Sequence, residues 1–92
     1  MLITFKLFAS LGVYLPHGAA KNSILLEVPD GTTVQRLLDD HHVPANACQV
    51  VLVNGSLQAK ADWTSALLKS GDVVAAWPAV GGRRLISEDF KS

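Results

Sequence analysis

The chain has one segment with strong helical signals, and strand-like segments lie on both sides of it. Thr32 can cap the start of this helix, and Gln35, three residues later, completes a capping box. Apolar residues then recur at the i, i+3, i+4 spacing of one helix face between Val34 and His41. Pro44 forces the chain out of helical geometry by about residue 43. A single short helix between strands must cover one face of a sheet to bury both apolar surfaces.

Apolar and β-branched runs predict the strands, and the dipeptide Asn54-Gly55 predicts a tight hairpin between two of them. The first and last strands are both strongly apolar, which favours adjacent central positions. The predicted fold is therefore α+β, with a mixed sheet of about four to five strands and one main helix packed on one face. The segment 62–68 is ambiguous, with a helical turn as one option. The predicted strands are 2–9, 23–28, 49–53, a weaker 56–60, and 73–77.

Length, charge and cysteine content exclude several classes of protein. A chain of 92 residues forms one domain with a modest core. Eight basic residues balance eight acidic ones, which removes the usual electrostatic reason for binding nucleic acid, so no nucleic-acid partner is expected. Cys48 is the only cysteine, which excludes a disulfide scaffold. The apolar start, 1–15, lacks a basic leader and is interrupted by Lys6, so we expect a cytoplasmic, soluble protein without a membrane partner.

The last predicted strand runs into Ala79-Val80-Gly81-Gly82. Two glycines without a Cβ make a slim segment that can enter a narrow channel. Four extended residues reach about 13 Å beyond the strand. Residues 83–92 follow, so Gly82 is joined to Arg83 by an amide bond and has no free carboxylate in this chain.

Four short motifs follow one another along the chain. They are Val28-Pro29-Asp30-Gly31-Thr32-Thr33-Val34, Val53-Asn54-Gly55, Ser70-Gly71-Asp72-Val73-Val74 and Pro78-Ala79-Val80-Gly81-Gly82. In this order they resemble the ubiquitin-like sulfur carriers, which include the small subunit of molybdopterin synthase and the thiamine-biosynthesis sulfur carrier. The resemblance implies a ubiquitin-like β-grasp domain over 1–82, followed by a C-terminal extension over 83–92.

The resemblance also implies a carrier that is a substrate of partner enzymes and not an enzyme itself. In that family an adenylyltransferase of the ubiquitin-activating type uses ATP and magnesium to adenylylate the terminal glycine carboxylate. A sulfur donor then converts it to a thiocarboxylate, and an acceptor synthase subunit takes the sulfur in molybdopterin-type or thiamine-type biosynthesis. Carried onto this sequence, Gly82 bears the sulfur and Gly81 is its flexible neighbour. The carrier itself is expected to bind no cofactor.

The extension after Gly82 has three explanations. A processing peptidase can cut between Gly82 and Arg83, which is the interpretation we favour. The extension can instead be permanent, making the protein a non-catalytic ubiquitin-like interaction module. It can also be an artificial addition. A further alternative is a ubiquitin-like modifier, in which Gly82 is joined to a protein lysine.

Docking residues are predicted from exposed apolar side chains, since aromatic anchors are typical of interface centres. The candidates are Trp63, Leu57, Phe8 and Val80, with Trp63 favoured because its segment reads as irregular. Trp77 could belong to the same exposed patch, but the favoured interpretation is that it fills the core from the last strand.

No catalytic set or metal site stands out in the sequence. His41 and His42 have only His17 as a further histidine, and no cysteine cluster accompanies them. Cys48 is interpreted as a small buried apolar residue, with a reactive thiol as the minor alternative.

Overall fold

The computed structural model describes residues 1–79. Within them the chain forms five strands, one α-helix and three 3₁₀ helices. The strands are β1 (Leu2–Leu7), β2 (Ser23–Glu27), β3 (Cys48–Val53), β4 (Ser56–Leu57) and β5 (Val73–Pro78); the helix is α1 (Val34–Asp40); the 3₁₀ helices are Ala9–Tyr14, Ala45–Ala47 and Lys60–Asp62.

The five strands form one mixed sheet in the order β2-β1-β5-β3-β4. β1 and β5 run parallel, and the other neighbouring strands run antiparallel. The predicted adjacency of the first and last strands is therefore confirmed, as is the mixed five-strand sheet with one main helix. A parallel pair of this kind needs a long crossover connection, and the segment that contains α1 and the β3–β4 hairpin supplies it.

Alternation along β1 separates the two faces of the sheet. Ile3, Phe5 and Leu7 are buried, whereas the residues between them face the other side. Val34, Leu37 and Leu38 of α1 belong to the same buried cluster. The helix thus covers one face of the sheet, as its amphipathic pattern predicts.

The start of α1 differs from the predicted capping box. Thr33, not Thr32, is the N-cap, and its side-chain oxygen accepts a hydrogen bond from the Arg36 amide at 3.1 Å. Thr32 is buried and its hydroxyl donates to the Pro29 carbonyl at 2.7 Å, so it stabilises the preceding turn instead. Gln35 bonds forward along the helix and does not reach back to the cap. Two adjacent threonines made the capping position ambiguous in the sequence.

The end of α1 is a Schellman motif. The Val43 amide donates to the Leu38 carbonyl at 2.9 Å and the His42 amide to the Asp39 carbonyl at 3.0 Å. His42 has a φ of 61°, in the left-handed region that this motif requires. The predicted exit before Pro44 is confirmed, although α1 has only 7 residues. No helix within residues 1–79 has the length and apolar character needed to cross a membrane.

The β3–β4 hairpin turns at Asn54-Gly55, with φ values of 52° and 84°. Positive φ at both central residues defines a type I′ turn, for which this dipeptide is preferred. The Asn54 side-chain oxygen accepts from the Val73 amide at 2.9 Å, which ties the turn to the start of β5. The predicted weak strand is only two residues long, because the chain leaves the sheet for the 3₁₀ helix Lys60–Asp62.

Candidate functional site

The strand that precedes the diglycine in the sequence, β5, lies in the middle of the sheet. β5 lies between β1 and β3, and its last residue, Pro78, is buried. Ala79 is exposed and is the last residue that the structure describes. Val80, Gly81, Gly82 and Arg83 lie outside the described residues, so their roles stay predictions.

One face of the sheet is opposite to α1 and carries a continuous apolar surface next to this exit point. The strand register puts Trp77 beside Val50, and Leu52 between Ala75 and Leu57. Phe8, directly after β1, packs against Trp77. We call this set the open-face patch; it consists of Phe8, Val50, Leu52, Leu57, Ala75 and Trp77.

Two aromatic rings form the part of the open-face patch that is nearest to the exit of β5. The centroids of the Phe8 and Trp77 rings are 4.4 Å apart and their planes differ by 5°, a stacked arrangement. The Phe8 amide also donates to the Ala76 carbonyl at 3.1 Å, which fixes this ring beside β5. Both side chains are half-buried.

The expectation that Trp77 fills the core is therefore wrong. Val74 and Ala76 are the β5 residues that face the core, so Trp77, one residue further, faces the other side. β5 is apolar at consecutive positions, and such a run does not reveal which parity points inward.

The prediction that Trp63 is the main exposed docking residue is also wrong. Its side chain is 2% exposed and belongs to the core. The indole N–H donates to the Gln58 carbonyl at 3.2 Å, and the Lys60 ammonium lies 5.5 Å from the ring centroid. Trp63 is thus not an exposed anchor, because the segment after β4 folds over the end of the core.

Leu57 and Phe8 lie on the open-face patch, and Leu57 is 69% exposed. Two of the three docking candidates within the described residues therefore share one surface, and Trp63 is separate from it. Val50, Leu52 and Ala75 were not predicted as members, and Trp77 was assigned to the core in preference to the surface. A register shift between Cys48 and Val50 disrupts the alternation of β3 that could have indicated Val50 and Leu52.

Cys48 lies beside the exit of β5, opposite Pro78 in the register. It is buried, and its Sγ is 3.7 Å from the Pro44 carbonyl oxygen. Burial raises the pKa of the Cys48 thiol, and the positive charge of Lys60 opposes this shift. The thiol therefore stays protonated near neutral pH, in agreement with its interpretation as a buried apolar residue.

His41 and His42 have structural roles at the end of α1. His41 has its Nδ1 at 3.0 Å from the Leu37 carbonyl oxygen, and its ring centroid is 5.2 Å from that of Phe5. His42 forms the left-handed position after α1. Within residues 1–79, no group of three or more histidine, cysteine or carboxylate side chains is placed to hold a metal ion.

The fold matches solved structures from three organisms. SAMP1 from Haloferax volcanii superposes with a TM-score of 0.61 at 23% identity, over 89% of this chain and 99% of that chain. Molybdopterin converting factor subunit 1 from Pyrococcus furiosus gives 0.60 at 24%, over 86% and 98%. A complex of subunits 1 and 2 of molybdopterin-converting factor from Helicobacter pylori gives 0.56 at 17%, over 89% and 99%. The predicted ubiquitin-like β-grasp fold is confirmed.

No curated protein matches the chain. The model of the ThiS family matches residues 17–82, well over half of the chain, and the match ends at the second glycine. The family match supports a role of the sulfur-carrier type. The chain belongs to the ThiS family.

Proposed function

We propose that the protein is a sulfur carrier whose Gly82 carboxylate, once residues 83–92 are removed, is adenylylated and converted to a thiocarboxylate. The observation that carries the proposal is the family match, which runs to Gly82 and leaves the extension outside. The thiocarboxylate would then supply sulfur to a biosynthetic acceptor of the molybdopterin or thiamine type.

The chemistry begins with hydrolysis of the amide bond between Gly82 and Arg83 by a processing peptidase. The new α-carboxyl group has a reference pKa of about 3.3–3.7, so it is an anion near neutral pH. A carboxylate oxygen attacks the α-phosphorus of ATP, pyrophosphate leaves, and an acyl adenylate forms. Sulfide delivered by a sulfur donor then attacks the carbonyl carbon, the bond to AMP breaks, and AMP leaves behind a thiocarboxylate.

The adenylyltransferase, with its ATP and magnesium, supplies the catalysis in this proposal, and the carrier supplies position. The open-face patch adjoins the end of β5, so one partner can contact the patch and also receive the segment 79–82. Aromatic and aliphatic anchors of this kind are typical of interface centres. The bond to be formed then lies within about 13 Å of the sheet, the reach of four extended residues.

An acceptor synthase subunit is the partner proposed for the loaded carrier. In the Helicobacter pylori structure, subunit 1 of molybdopterin-converting factor is in complex with subunit 2. That subunit 1 shares the fold of this chain, which supports a corresponding acceptor here.

A modifier role is the second candidate, favoured by the similarity to SAMP1, a small archaeal modifier protein. Activation of Gly82 would be the same, but a protein lysine would attack the acyl group and form an isopeptide bond. The third candidate is an interaction module that keeps residues 83–92.

Intact-mass measurement of the protein from its own cells separates the three candidates. A sulfur carrier gives a species ending at Gly82, part of it heavier by the difference between sulfur and oxygen. A modifier gives Gly82 attached to a lysine of another protein. Full-length chains alone, in every growth condition, would contradict both and leave the interaction module.

A further inference from the structure

The β3–β4 turn contains two neighbouring residues that can react with each other. Asn54 is followed by Gly55, and both are exposed. The Gly55 backbone nitrogen can lose its proton and attack the side-chain carbonyl carbon of Asn54; the bond from that carbon to Nδ2 then breaks, and ammonia leaves with the proton. Water opens the resulting cyclic imide to aspartate or isoaspartate at position 54. Glycine favours the attack because it has no Cβ to crowd the nitrogen.

Two hydrogen bonds hold the side-chain amide of Asn54 against the start of β5. Its Nδ2 donates to Oδ1 of Asp72 at 2.9 Å, and its Oδ1 accepts from the Val73 amide at 2.9 Å. The reversed orientation would set donor against donor and acceptor against acceptor, so the two partners fix this one. Attack at the carbonyl carbon makes that carbon tetrahedral and moves both atoms out of the amide plane. The reaction therefore has to break hydrogen bonds that the fold supplies.

Asp72 is itself held in place by the backbone around it. Its Oδ2 accepts from the Lys69 amide at 2.8 Å, and its own amide donates to the Lys69 carbonyl at 3.0 Å. Its carbonyl accepts from the Thr4 amide at 2.9 Å, which connects it to β1. The acceptor for Asn54 Nδ2 is thus fixed by the turn before β5 and by β1.

The products of deamidation do not fit the same place. An aspartate at position 54 has no side-chain N–H to donate, and it would set a second carboxylate oxygen 2.9 Å from Oδ1 of Asp72. Two like charges at this distance repel each other, and Asp72 loses its donor. An isoaspartate adds a methylene group to the main chain of a two-residue turn, which changes the turn geometry. Either product therefore weakens the tie between the turn and β5.

We propose that Asn54 is a latent deamidation site: Asp72 and Val73 protect it in the folded chain, and it reacts when the β3–β4 turn separates from β5. The product then disfavours the return of the turn to its native contacts. The reaction thus permanently marks chains that have opened at this end of the sheet. Gly82 takes no part in the reaction, so failure of the proposed function leaves it unaffected.

The first test measures deamidation of Asn54 in the full-length chain by peptide mass spectrometry, where conversion adds the mass difference between a hydroxyl and an amino group. At an exposed position, a hydrogen bond to a charged acceptor corresponds to about a tenfold change in an equilibrium constant. We therefore expect the folded wild type to react at least about tenfold more slowly than the same chain in urea. Asp72→Ala should react about tenfold faster than the folded wild type.

Asp39→Ala is the matched control for this test, because Asp39 also accepts a side-chain amide hydrogen bond at 2.9 Å, from Gln35 on α1. It should react at the wild-type rate, and circular dichroism confirms that each variant is folded. Equal rates in folded and urea-denatured wild type would overturn the proposal. So would a wild-type rate in folded Asp72→Ala, or an equal acceleration by Asp39→Ala.

A second measurement covers the case in which Asp72→Ala does not fold. Asn54→Asp imitates the product and should lower the melting temperature, whereas Asn46→Asp, the same change at an exposed asparagine in the 3₁₀ helix Ala45–Ala47, should not. The double variant Asn54→Asp/Asp72→Asn exchanges the two groups: an amide at position 72 can donate to the carboxylate at position 54 and accept from the Lys69 amide. We expect this exchange to recover most of the loss. No loss in Asn54→Asp, or no recovery in the double variant, contradicts the proposal.

Discussion

The two tryptophans occupy opposite environments although both lie in apolar sequence. Trp63 is buried with its indole N–H bonded to a carbonyl, and Trp77 is half-buried in a stack with Phe8. A side chain's contribution to folding follows from the surface it buries and from the hydrogen bond it satisfies. The same substitution should therefore have different effects at the two positions.

We predict that Trp63→Ala lowers the free energy of unfolding by about 3–5 kcal/mol, the usual cost of truncating a buried aromatic. Trp77→Ala should cost no more than about 2 kcal/mol, because part of the ring is already in water. Urea denaturation followed by circular dichroism measures both. Equal losses in the two variants would contradict the assignment of Trp63 to the core and Trp77 to the open face.

Cys48 should react slowly with alkylating reagents in the folded protein. Burial raises the pKa of its thiol, so the reactive thiolate is scarce as well as inaccessible. The raised pKa also means that folding favours the protonated thiol: this contribution is complete below the ordinary thiol pKa and is lost as pH rises through the folded-state pKa. Alkylation rates with and without denaturant check the prediction. A native rate equal to the denatured rate would contradict it.

At the scale of elements, the backbone at the end of α1 is strained at one residue, and a substitution can relieve this strain. His42 adopts a φ of 61° at the position after the C-cap, where glycine is preferred. His42→Gly should raise the free energy of unfolding by about 0.5–1 kcal/mol, because a left-handed conformation costs a residue with a Cβ. His41→Gly is the matched control: its φ is −105° and its ring packs on Phe5, so this change should destabilise. The opposite order of melting temperatures would refute the explanation.

Elements specified by local chemistry could be predicted from the sequence. The alternation in β1, the Asn54-Gly55 turn and the helix exit before Pro44 each depend on a few neighbouring residues. The environments of Trp63 and Trp77 depend on contacts between distant segments. The hydrophobic periodicity of the neighbouring residues therefore does not indicate which of the two side chains is buried. The same holds for the open-face patch, which combines residues from β3, β4 and β5 with Phe8.

At the scale of the whole molecule, the open-face patch and the exit of β5 form one surface for a partner. We predict that Leu57→Ala and Trp77→Ala each lower kcat/KM of the activating enzyme for the processed chain about tenfold, a typical loss for a central interface residue. Leu25→Ala is the matched control: Leu25 is 67% exposed on the same face of the sheet but lies on β2, away from the patch. Equal effects of Leu25→Ala and Leu57→Ala would contradict docking through the patch.

The central claim is that a free carboxylate at Gly82 is the activated group. Within residues 1–79, every strand, the α-helix and every core residue lie at or before Pro78. A chain that ends at Gly82 therefore keeps all of them. Its most direct test is ATP–pyrophosphate exchange by the cognate adenylyltransferase, with the chain ending at Gly82 compared with the full-length chain. We predict exchange with the shortened chain and none with the full-length chain. No exchange with the shortened chain, or equal exchange with both, would contradict the account.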